Sequence, residues 1–334
     1  MISRVAESCF WLQRYMERVD STARMLEVNL MFVLDVQVTA QETWRPLLVV
    51  AGEAPRFEEI HGAAAVEDGE RVQESLTWER RNPSSVLNSV YWARENGRTI
   101  RETLSQEMWK SLNTFWHWLS GGQGRKVYDR ERAEFYSQLK ETSQTFRGIC
   151  HDTMLHEDPF DFMRLGMLIE RAGQTARLLD VKHHKFGPTS STVESAEEYA
   201  QWLAILRSCS ATEPFLKRGR PANGVEVAEF LLFEKPFPRS VLHCVDRAWN
   251  FLRRILPPAR PGVRYESRAL LEGLLKRLSS ASIDTVLAAG IHDELTVIID
   301  TLARIGDAIH EDFFDPAVPG PEWQDAAEAT EVSQ

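Results

Sequence analysis

The sequence predicts an all-α fold, an internally duplicated helical bundle with pseudo-twofold symmetry. Two observations lead to this expectation. Apolar residues recur at alternating steps of four and three, which is the spacing of a helix in a bundle. A charged segment also recurs, so that Glu17 and Arg18 reappear 153 residues later as Glu170 and Arg171. An internal repeat of this kind decides how a chain is divided into units.

Other segments recur at similar distances and in the same order. Pro83 recurs as Pro238 at an offset of 155, and His156 recurs as His310 at an offset of 154. Small loop insertions account for the variation in the offset. The predicted divisions of the chain are a first helical unit over residues 1–161, a second over residues 162–315, and a disordered acidic tail over residues 316–334.

The first predicted helix covers residues 3–36 and is unusually long. Its apolar positions form one continuous seam, which indicates a helix packed along its whole length. The seam consists of Val5, Cys9, Leu12, Met16, Val19, Ala23, Leu26, Leu30 and Val33. The second unit keeps the same register, and Ala176 corresponds to Ala23. Alanine at both positions predicts a close approach between the two helices.

The remaining helices are predicted from the positions of proline and glycine, which mark where helices start and where loops interrupt them. Asn82 and Pro83 are typical of a helix start, and the apolar spacing predicts one helix from there to Asn113. Pro238 opens the equivalent helix of the second unit. Further helices are predicted over residues 130–154, 193–210, 264–278 and 283–310. Loops are predicted over residues 51–69, 121–124, 187–192, 219–224 and 257–262.

Composition excludes several classes of function. The formal net charge of −10 argues against nucleic-acid binding, which requires a basic surface. The four cysteines are scattered and form no disulfide framework, so a reduced, cytoplasmic protein is expected. The first thirty residues carry many charges and no signal-peptide core. No segment is apolar enough to predict a membrane span.

The repeated charged motif has two interpretations. Glu17, Arg24 and Glu27 lie along one side of the first helix at helical spacing, and Glu170, Arg177 and Asp180 repeat this arrangement. Arg18 and Arg171 are expected to point away from that side. One interpretation is a polar layer that fixes the register between the two units. The other is a central cleft in which Arg24 and Arg177 bind a carboxylate or phosphate.

A second charged segment belongs to the first unit alone. Arg94, Arg98 and Arg101 share a helix face beside Glu95, and the second unit has Trp249 and Asn250 at the equivalent place. This asymmetry makes the four charged residues a candidate contact for a partner. The alternative is a basic stripe that faces solvent.

Sequence motifs for catalysis, metal binding and nucleotide binding are missing. His151 and His156 are five residues apart, which one helical face cannot present together, and no H-E-x-x-H pattern occurs. The glycine-rich segment 121–126 lacks the spacing of a phosphate-binding loop. We therefore expect no catalytic residue, no metal and no cofactor.

These motifs resemble the bacterial alpha-E family, an all-helical domain named for its Glu-Arg motif. The resemblance covers nearly all of residues 1–315. It rests on Met1 to Ser8, Trp11, Arg14-Tyr15, Glu17-Arg18, Thr22-Ala23-Arg24, Asn82 to Ser85, Ala93 to Asn96, Ile100 to Glu102, Glu107 to Trp109, Leu112-Asn113, Phe162 to Ala172 and Phe237 to Val241.

The resemblance implies a partner system. The alpha-E proteins that this chain resembles are encoded beside, or fused to, a circularly permuted ATP-grasp protein. A transglutaminase-like peptidase is often present as well. The protein would then be a non-catalytic accessory or substrate-binding subunit of a peptide or amide ligase. The alternative is an enzyme whose central Glu/Arg cleft acts on an acyl or phosphoryl substrate. The residues assigned to the cleft or polar layer are Glu17, Arg18, Arg24, Glu27, Glu170, Arg171, Arg177 and Asp180.

Overall fold

The structure is a computed structural model, and it describes residues 3–35, 39–182, 196–256 and 264–315. Every regular element in these ranges is helical, which confirms the all-α fold class. The predicted acidic tail, residues 316–334, lies outside the described residues, as do the loops predicted at 187–192 and 257–262.

The first half of the chain contains eight α-helices and a short 3-10 segment, Ala63–Glu67, among its described residues. The helices are α1 (Ser3–Asp35), α2 (Ala40–Ala51), α3 (Ala54–His61), α4 (Gly69–Thr77), α5 (Val86–Thr99), α6 (Gln106–Ser120), α7 (Gln123–Arg130) and α8 (Arg132–Thr153).

The second half contains another eight α-helices in its described part, followed by a π-helical turn, His310–Phe314. The helices are α9 (Asp158–Asp180), α10 (Ala196–Ser208), α11 (Thr212–Leu216), α12 (Gly224–Phe233), α13 (Val241–Ile255), α14 (Glu266–Ser280), α15 (Ile283–Ala289) and α16 (Ile291–Ile309).

The single helix predicted from Pro83 to Asn113 is wrong, because this segment forms both α5 and α6. The chain leaves helical geometry at Ile100, and the Ser105 hydroxyl accepts a hydrogen bond from the Met108 amide at the start of α6. A side-chain cap of this kind satisfies an amide that no helical carbonyl can reach. Apolar residues keep their helical spacing across this break, so the periodicity of the sequence gives no sign of it.

Three other boundaries differ from the prediction. The helix predicted over residues 283–310 is divided at Gly290, whose φ of 99° lies in the left-handed region that interrupts a helix. The loop predicted over residues 51–69 contains α3 and the 3-10 segment. The glycine-rich segment predicted as a loop turns at Gly122, and α7 starts directly after it.

Helices α1 and α9 form the centre of the bundle. Phe10 contacts Gly166, and Glu17 further along α1 contacts Arg171 further along α9, so the two helices run in the same direction. Helix α1 packs against α5 and α8, while α9 packs against α13 and α16. This puts the repeated charged motif at the interface between the two halves.

The order of elements and their packing recur between the halves. Helix α6 packs against α5 and α8, as α14 packs against α13 and α16. The duplication and the pseudo-twofold axis stay predictions. Superposition of residues 1–161 on residues 162–315 tests them, and it should bring α1–α8 onto α9–α16 in the same order.

Gly166 allows α1 and α9 to approach closely. A β-carbon at this position would lie 2.3 Å from the backbone oxygen of Phe10 and 3.1 Å from the Cγ of Arg14. The nearest atom belongs to the backbone of α1, so it can move only if the helix moves. A larger residue at Gly166 therefore has to separate the two central helices.

We expect Gly166→Ala to lower the free energy of unfolding by roughly 1–3 kcal/mol, the usual effect of overpacking. Gly148→Ala on α8 is the matched control, because nothing lies within 4 Å of its added methyl group. There the higher helix propensity of alanine should stabilise the protein by up to about 1 kcal/mol. Equal effects of the two substitutions in urea denaturation would contradict the close approach.

Candidate functional site

The Glu17 carboxylate lies fully buried between α1 and α9. It accepts two hydrogen bonds from Arg171, from Nε at 2.8 Å and from Nη2 at 2.7 Å. Arg239 donates to it at 3.0 Å and Arg147 at 3.2 Å. Both carboxylate oxygens are therefore occupied by guanidinium donors, an arrangement that offsets the cost of burying the charge.

Glu170 occupies the equivalent position on α9 and is also buried. Arg18 donates from Nε at 2.8 Å, and Arg14 donates from Nε at 3.1 Å and from Nη2 at 3.0 Å. The Arg14 guanidinium lies 4.7 Å from the centroid of the Trp11 ring, within the range of a cation–π interaction. Two arginines of α1 thus enclose one carboxylate of α9.

The two motifs pair reciprocally. Glu17 of the first motif binds Arg171 of the second, and Glu170 of the second binds Arg18 of the first. The expectation that Arg18 and Arg171 point away from the charged stripe is therefore wrong. Helical angles place only the Cα–Cβ bond, whereas a long arginine side chain reaches around its helix to a carboxylate on the neighbouring one.

Arg239 is placed in the cluster by the second motif itself. The Thr175 hydroxyl donates to the Arg239 carbonyl at 2.9 Å, so the motif threonine holds the turn that precedes α13. The Ser240 hydroxyl caps that helix by accepting from the His243 amide. The Arg239 side chain is consequently directed towards Glu17 and Asp20 on α1.

Asp20 is a second buried carboxylate on α1, one turn after Glu17. Arg24 donates to it at 2.9 Å, Arg239 donates to it at 2.5 Å, and Arg147 lies 3.5 Å away. We call Glu17, Asp20, Glu170 and the arginines that surround them the Glu–Arg cluster. Its arginines are Arg14, Arg18, Arg24, Arg147, Arg164, Arg171, Arg177 and Arg239.

The arginines keep the buried carboxylates ionised. Burial raises the pKa of the Glu17 carboxyl, but attraction to Arg171, Arg239 and Arg147 is stronger in sum, and the pKa lies well below its usual range. Burial and attraction to Arg18 oppose each other in the same way at Glu170, where the pKa is again well below the usual range. Both groups carry a negative charge at neutral pH.

The positive charges of the cluster exceed the negative ones. Three carboxylates lie among eight arginines, and burial lowers the pKa of Arg147 and of Arg177 below the ordinary value. Neighbouring arginines contribute to both shifts, since Arg171 and Arg239 repel Arg147 while Arg18 and Arg14 repel Arg177. A cluster with excess positive charge attracts anions.

The remaining residues of the predicted cleft have hydrogen-bond or ion-pair partners other than the two glutamates. Arg24 donates to Asp20 and to the Ser210 hydroxyl, and Arg177 donates to the Val50 carbonyl at 2.8 Å. Glu27 contacts Lys140, and Asp180 contacts His292 at 2.6 Å. The positive charge of Arg177 nevertheless helps to lower the pKa of the Glu170 carboxyl. That Glu17, Arg24, Glu170 and Arg177 approach one another stays a prediction.

Several cluster residues were not predicted as members of the site. Arg14 lies one turn before Arg18 on α1, so the two share a face, and this spacing was available in the sequence. Arg147 and Arg239 come from distant segments, and no helical spacing connects them with Glu17. Arg239 has the uncharged Ser84 as its counterpart at an offset of 155. A charge present in only one half is a signal that comparison of the two halves could have detected.

The candidate partner contact is mostly an internal network. Arg94 donates to Asn113 at 2.8 Å and to Glu95 at 2.8 Å, and it lies over the ring of Trp109. Arg101 lies over the same ring but falls between α5 and α6, so it does not share a helix face with Arg94 and Arg98 as predicted. Arg98 is the most exposed of the three arginines, with 66% of its side chain accessible beside Glu95.

No group of three or more His, Cys, Asp or Glu side chains in the described part of the chain could hold a metal ion. No helix within the described ranges is both long enough and apolar enough to cross a membrane.

The cysteines near the cluster are buried and have raised pKa values. Burial raises the pKa of Cys209 to about 11 and that of Cys244 to about 12. A thiol is nucleophilic only as the thiolate. Neither cysteine is therefore an activated nucleophile at neutral pH.

The chain belongs to the Alpha-E family, described as a predicted alpha-helical domain with a conserved ER motif. The family model matches residues 1–314. The Glu-Arg pairs Glu17-Arg18 and Glu170-Arg171 lie inside this match, at the interface of α1 and α9.

The chain is similar to uncharacterized mycobacterial proteins. One from Mycobacterium bovis and two from Mycobacterium tuberculosis are each 25% identical over 315 residues, covering 89% of this chain and 35% of the relative. The chain thus spans about a third of the length of these relatives. No solved structure matches it.

We expect Glu17→Gln to lower the free energy of unfolding by roughly 3–5 kcal/mol, because it leaves Arg171 and its neighbours without the buried counter-charge. Glu134→Gln is the matched control, since Glu134 pairs with Arg130 on the surface with 53% of its side chain exposed. Its effect should stay within about 1 kcal/mol. Thermal or urea denaturation of both variants measures the difference, and similar small effects would contradict a structural role for Glu17.

The lowered pKa values of the glutamates predict acid sensitivity. In the unfolded chain these carboxyls titrate near the ordinary value of 4.5, while in the folded state they titrate well below it. Between the two values the unfolded state binds more protons, so the stabilisation is complete above about pH 4.5 and is lost as the pH falls further. Urea denaturation at a series of pH values measures this. A free energy of unfolding that stays constant from about pH 6 to about pH 3 would contradict it.

Proposed function

We propose that this protein is a non-catalytic accessory subunit of an amide or peptide ligase system and works with a circularly permuted ATP-grasp protein. Membership in the Alpha-E family supports this proposal through the partner that the family resemblance implies. The length of the relatives supports it as well. In them, a region similar to this chain makes up about a third of a longer polypeptide, as expected for a unit that works beside other domains.

The observation that carries the non-catalytic assignment is the saturation of the two glutamates. Glu17 and Glu170 each accept four hydrogen bonds from arginines, and 3% or less of either residue is exposed. A general base has to reach the proton that it removes and needs a pKa near the working pH. These carboxylates have neither property, so the repeated motif joins the two halves and performs no chemistry.

The alternative is an enzyme that uses the central Glu/Arg cleft on an acyl or phosphoryl substrate. The excess of arginine in the cluster favours this alternative, because arginine stabilises the charge that develops in such reactions. The buried thiols and carboxylates oppose it. If the protein is such an enzyme, the isolated chain should turn over a substrate in the absence of the ATP-grasp protein.

The exposed end of α5 is the surface that we propose for partner binding. Arg98 is accessible there, and Trp92, near the middle of the same helix, is 47% exposed. Arginine and tryptophan are enriched at the energetically important positions of protein interfaces. The second half has Arg253 at the position that corresponds to Arg98, but it lacks counterparts to Arg94 and Glu95.

We expect this protein to co-purify with a circularly permuted ATP-grasp protein, and Arg98→Glu to weaken the association. Arg130→Glu is the matched control, because Arg130 is 69% exposed and also pairs with a glutamate on its own surface. Association should weaken further at high salt, since exposed charges are screened over ~8 Å at physiological ionic strength. Surface plasmon resonance with both variants measures the dissociation constants.

Two outcomes would overturn the proposal. The first is an equal loss of binding with Arg98→Glu and Arg130→Glu, which would remove α5 as the contact. The second is robust ATP-dependent or hydrolytic turnover by this protein alone, lost in a folded Glu17→Gln variant, which would establish the enzyme.

A further inference from the structure

Arg24 and Arg177 occupy the same place in the repeated charged motif, but their surroundings differ. Asp20, four residues before Arg24, accepts hydrogen bonds from the Nη2 of Arg24 at 2.9 and 3.2 Å. The residue four positions before Arg177 is Gly173, which has no side chain to do the same. The second half of the chain therefore keeps the arginine without the acid that pairs with it in the first half.

The guanidinium of Arg177 lies over Gly173. A β-carbon added to Gly173 would lie 3.4 Å from the Nη1 and 3.6 Å from the Nη2 of Arg177, and these are the atoms that it would meet first. The Nε of Arg177 donates to the Val50 carbonyl in the last turn of α2 at 2.8 Å. A helix C-terminus carries only a partial negative charge, so this carbonyl balances only part of the charge of the arginine.

The two terminal nitrogens of Arg177 are available to a ligand. Neither donates a hydrogen bond to any residue that the structure describes, and neither is shut off from solvent. Arg177 is partly exposed, so solvent reaches these two nitrogens while the Val50 carbonyl holds Nε in place. Two such donors of one guanidinium form the planar fork that binds a carboxylate through both of its oxygens.

Two neighbouring arginines add positive charge at this place. Arg14 and Arg18 lie on α1 with 18% of each side chain exposed, and together they donate all four hydrogen bonds to Glu170. Burial lowers the pKa of Arg177, and repulsion by Arg18 and Arg14 adds to this shift, although Glu170 opposes it. A further anion beside Arg177 would offset the repulsion among the three arginines.

We propose that Arg177 binds the carboxylate group of a ligand in the space over Gly173. The ligand carboxylate takes the role that Asp20 has beside Arg24. The Nη1 and Nη2 of Arg177 donate to its two oxygens, and the two arginines of α1 attract it. Binding at this site requires no ATP-grasp protein, so it is independent of the proposed function.

Gly173→Asp tests the site by supplying a carboxylate from the chain itself. Its matched control is Gly173→Asn, which has the same shape without the charge. We expect the melting temperature of Gly173→Asp to exceed that of Gly173→Asn, because the new carboxylate pairs with Arg177 as Asp20 pairs with Arg24. The difference should disappear when Arg177→Gln is added to both variants. Equal melting temperatures of the two single variants would show that no carboxylate reaches Arg177 there, and would overturn the site.

Thermal denaturation in the presence of small anions measures ligand binding. The probes are acetate and succinate, with inorganic phosphate and chloride at the same ionic strength for comparison. Acetate and succinate should raise the melting temperature of the unmodified protein above its value in chloride, since a ligand of the folded state stabilises that state. In Gly173→Asp and in Arg177→Gln the apparent dissociation constant should be about tenfold higher or more, the effect of losing hydrogen bonds between charged groups.

Arg130→Gln is the matched control, because Arg130 is 69% exposed at the end of α7, outside the site, and should leave the response unchanged. The absence of a rise with acetate and succinate would overturn the proposal. A rise of the same size in the unmodified protein and in both site variants would also overturn it, since the anions would then act elsewhere. A response to phosphate alone, lost in the site variants, would overturn the carboxylate as the ligand of Arg177.

Discussion

The reciprocal ion pairs between α1 and α9 are the constraint on which the rest of the structure depends. Glu17 with Arg171 and Arg18 with Glu170 lie where the two longest helices face each other. Burying a single charge costs several kcal/mol unless it is paired and fully hydrogen-bonded. The two helices are therefore held at the one register in which both pairs form, and Gly166 provides the close approach that this register needs.

The charge around this centre is asymmetric, although the order of helices recurs between the halves. Asp20 on α1 is bound by Arg239 and Arg147, and these three charges are part of the Glu–Arg cluster. Their counterparts at the repeat offsets are uncharged, namely Gly173, Ser84 and Thr301. Asp20 is buried, so its charge needs these arginines, whereas the arginines also pair with Glu17.

Sequence reasoning predicted the all-α fold and the helices of the charged motif, because apolar spacing and an internal repeat survive without tertiary information. It missed the break between α5 and α6, which depends on the hydroxyl of Ser105 acting as a cap. It placed Glu17 and Arg171 in the site but assigned the wrong partners, since helical angles ignore the reach of arginine. It could not find Arg147, because tertiary packing alone brings α8 to Glu17.

The most direct test of the account is a double-mutant cycle on Glu17 and Arg171. The free energy of unfolding is measured for Glu17→Gln, Arg171→Gln and the double variant. If the pair joins the two halves, the double variant should be more stable than the sum of the single effects predicts, with a coupling of at least about 1 kcal/mol. Additive effects, within about 0.5 kcal/mol, would show that the two residues act independently and would contradict the account.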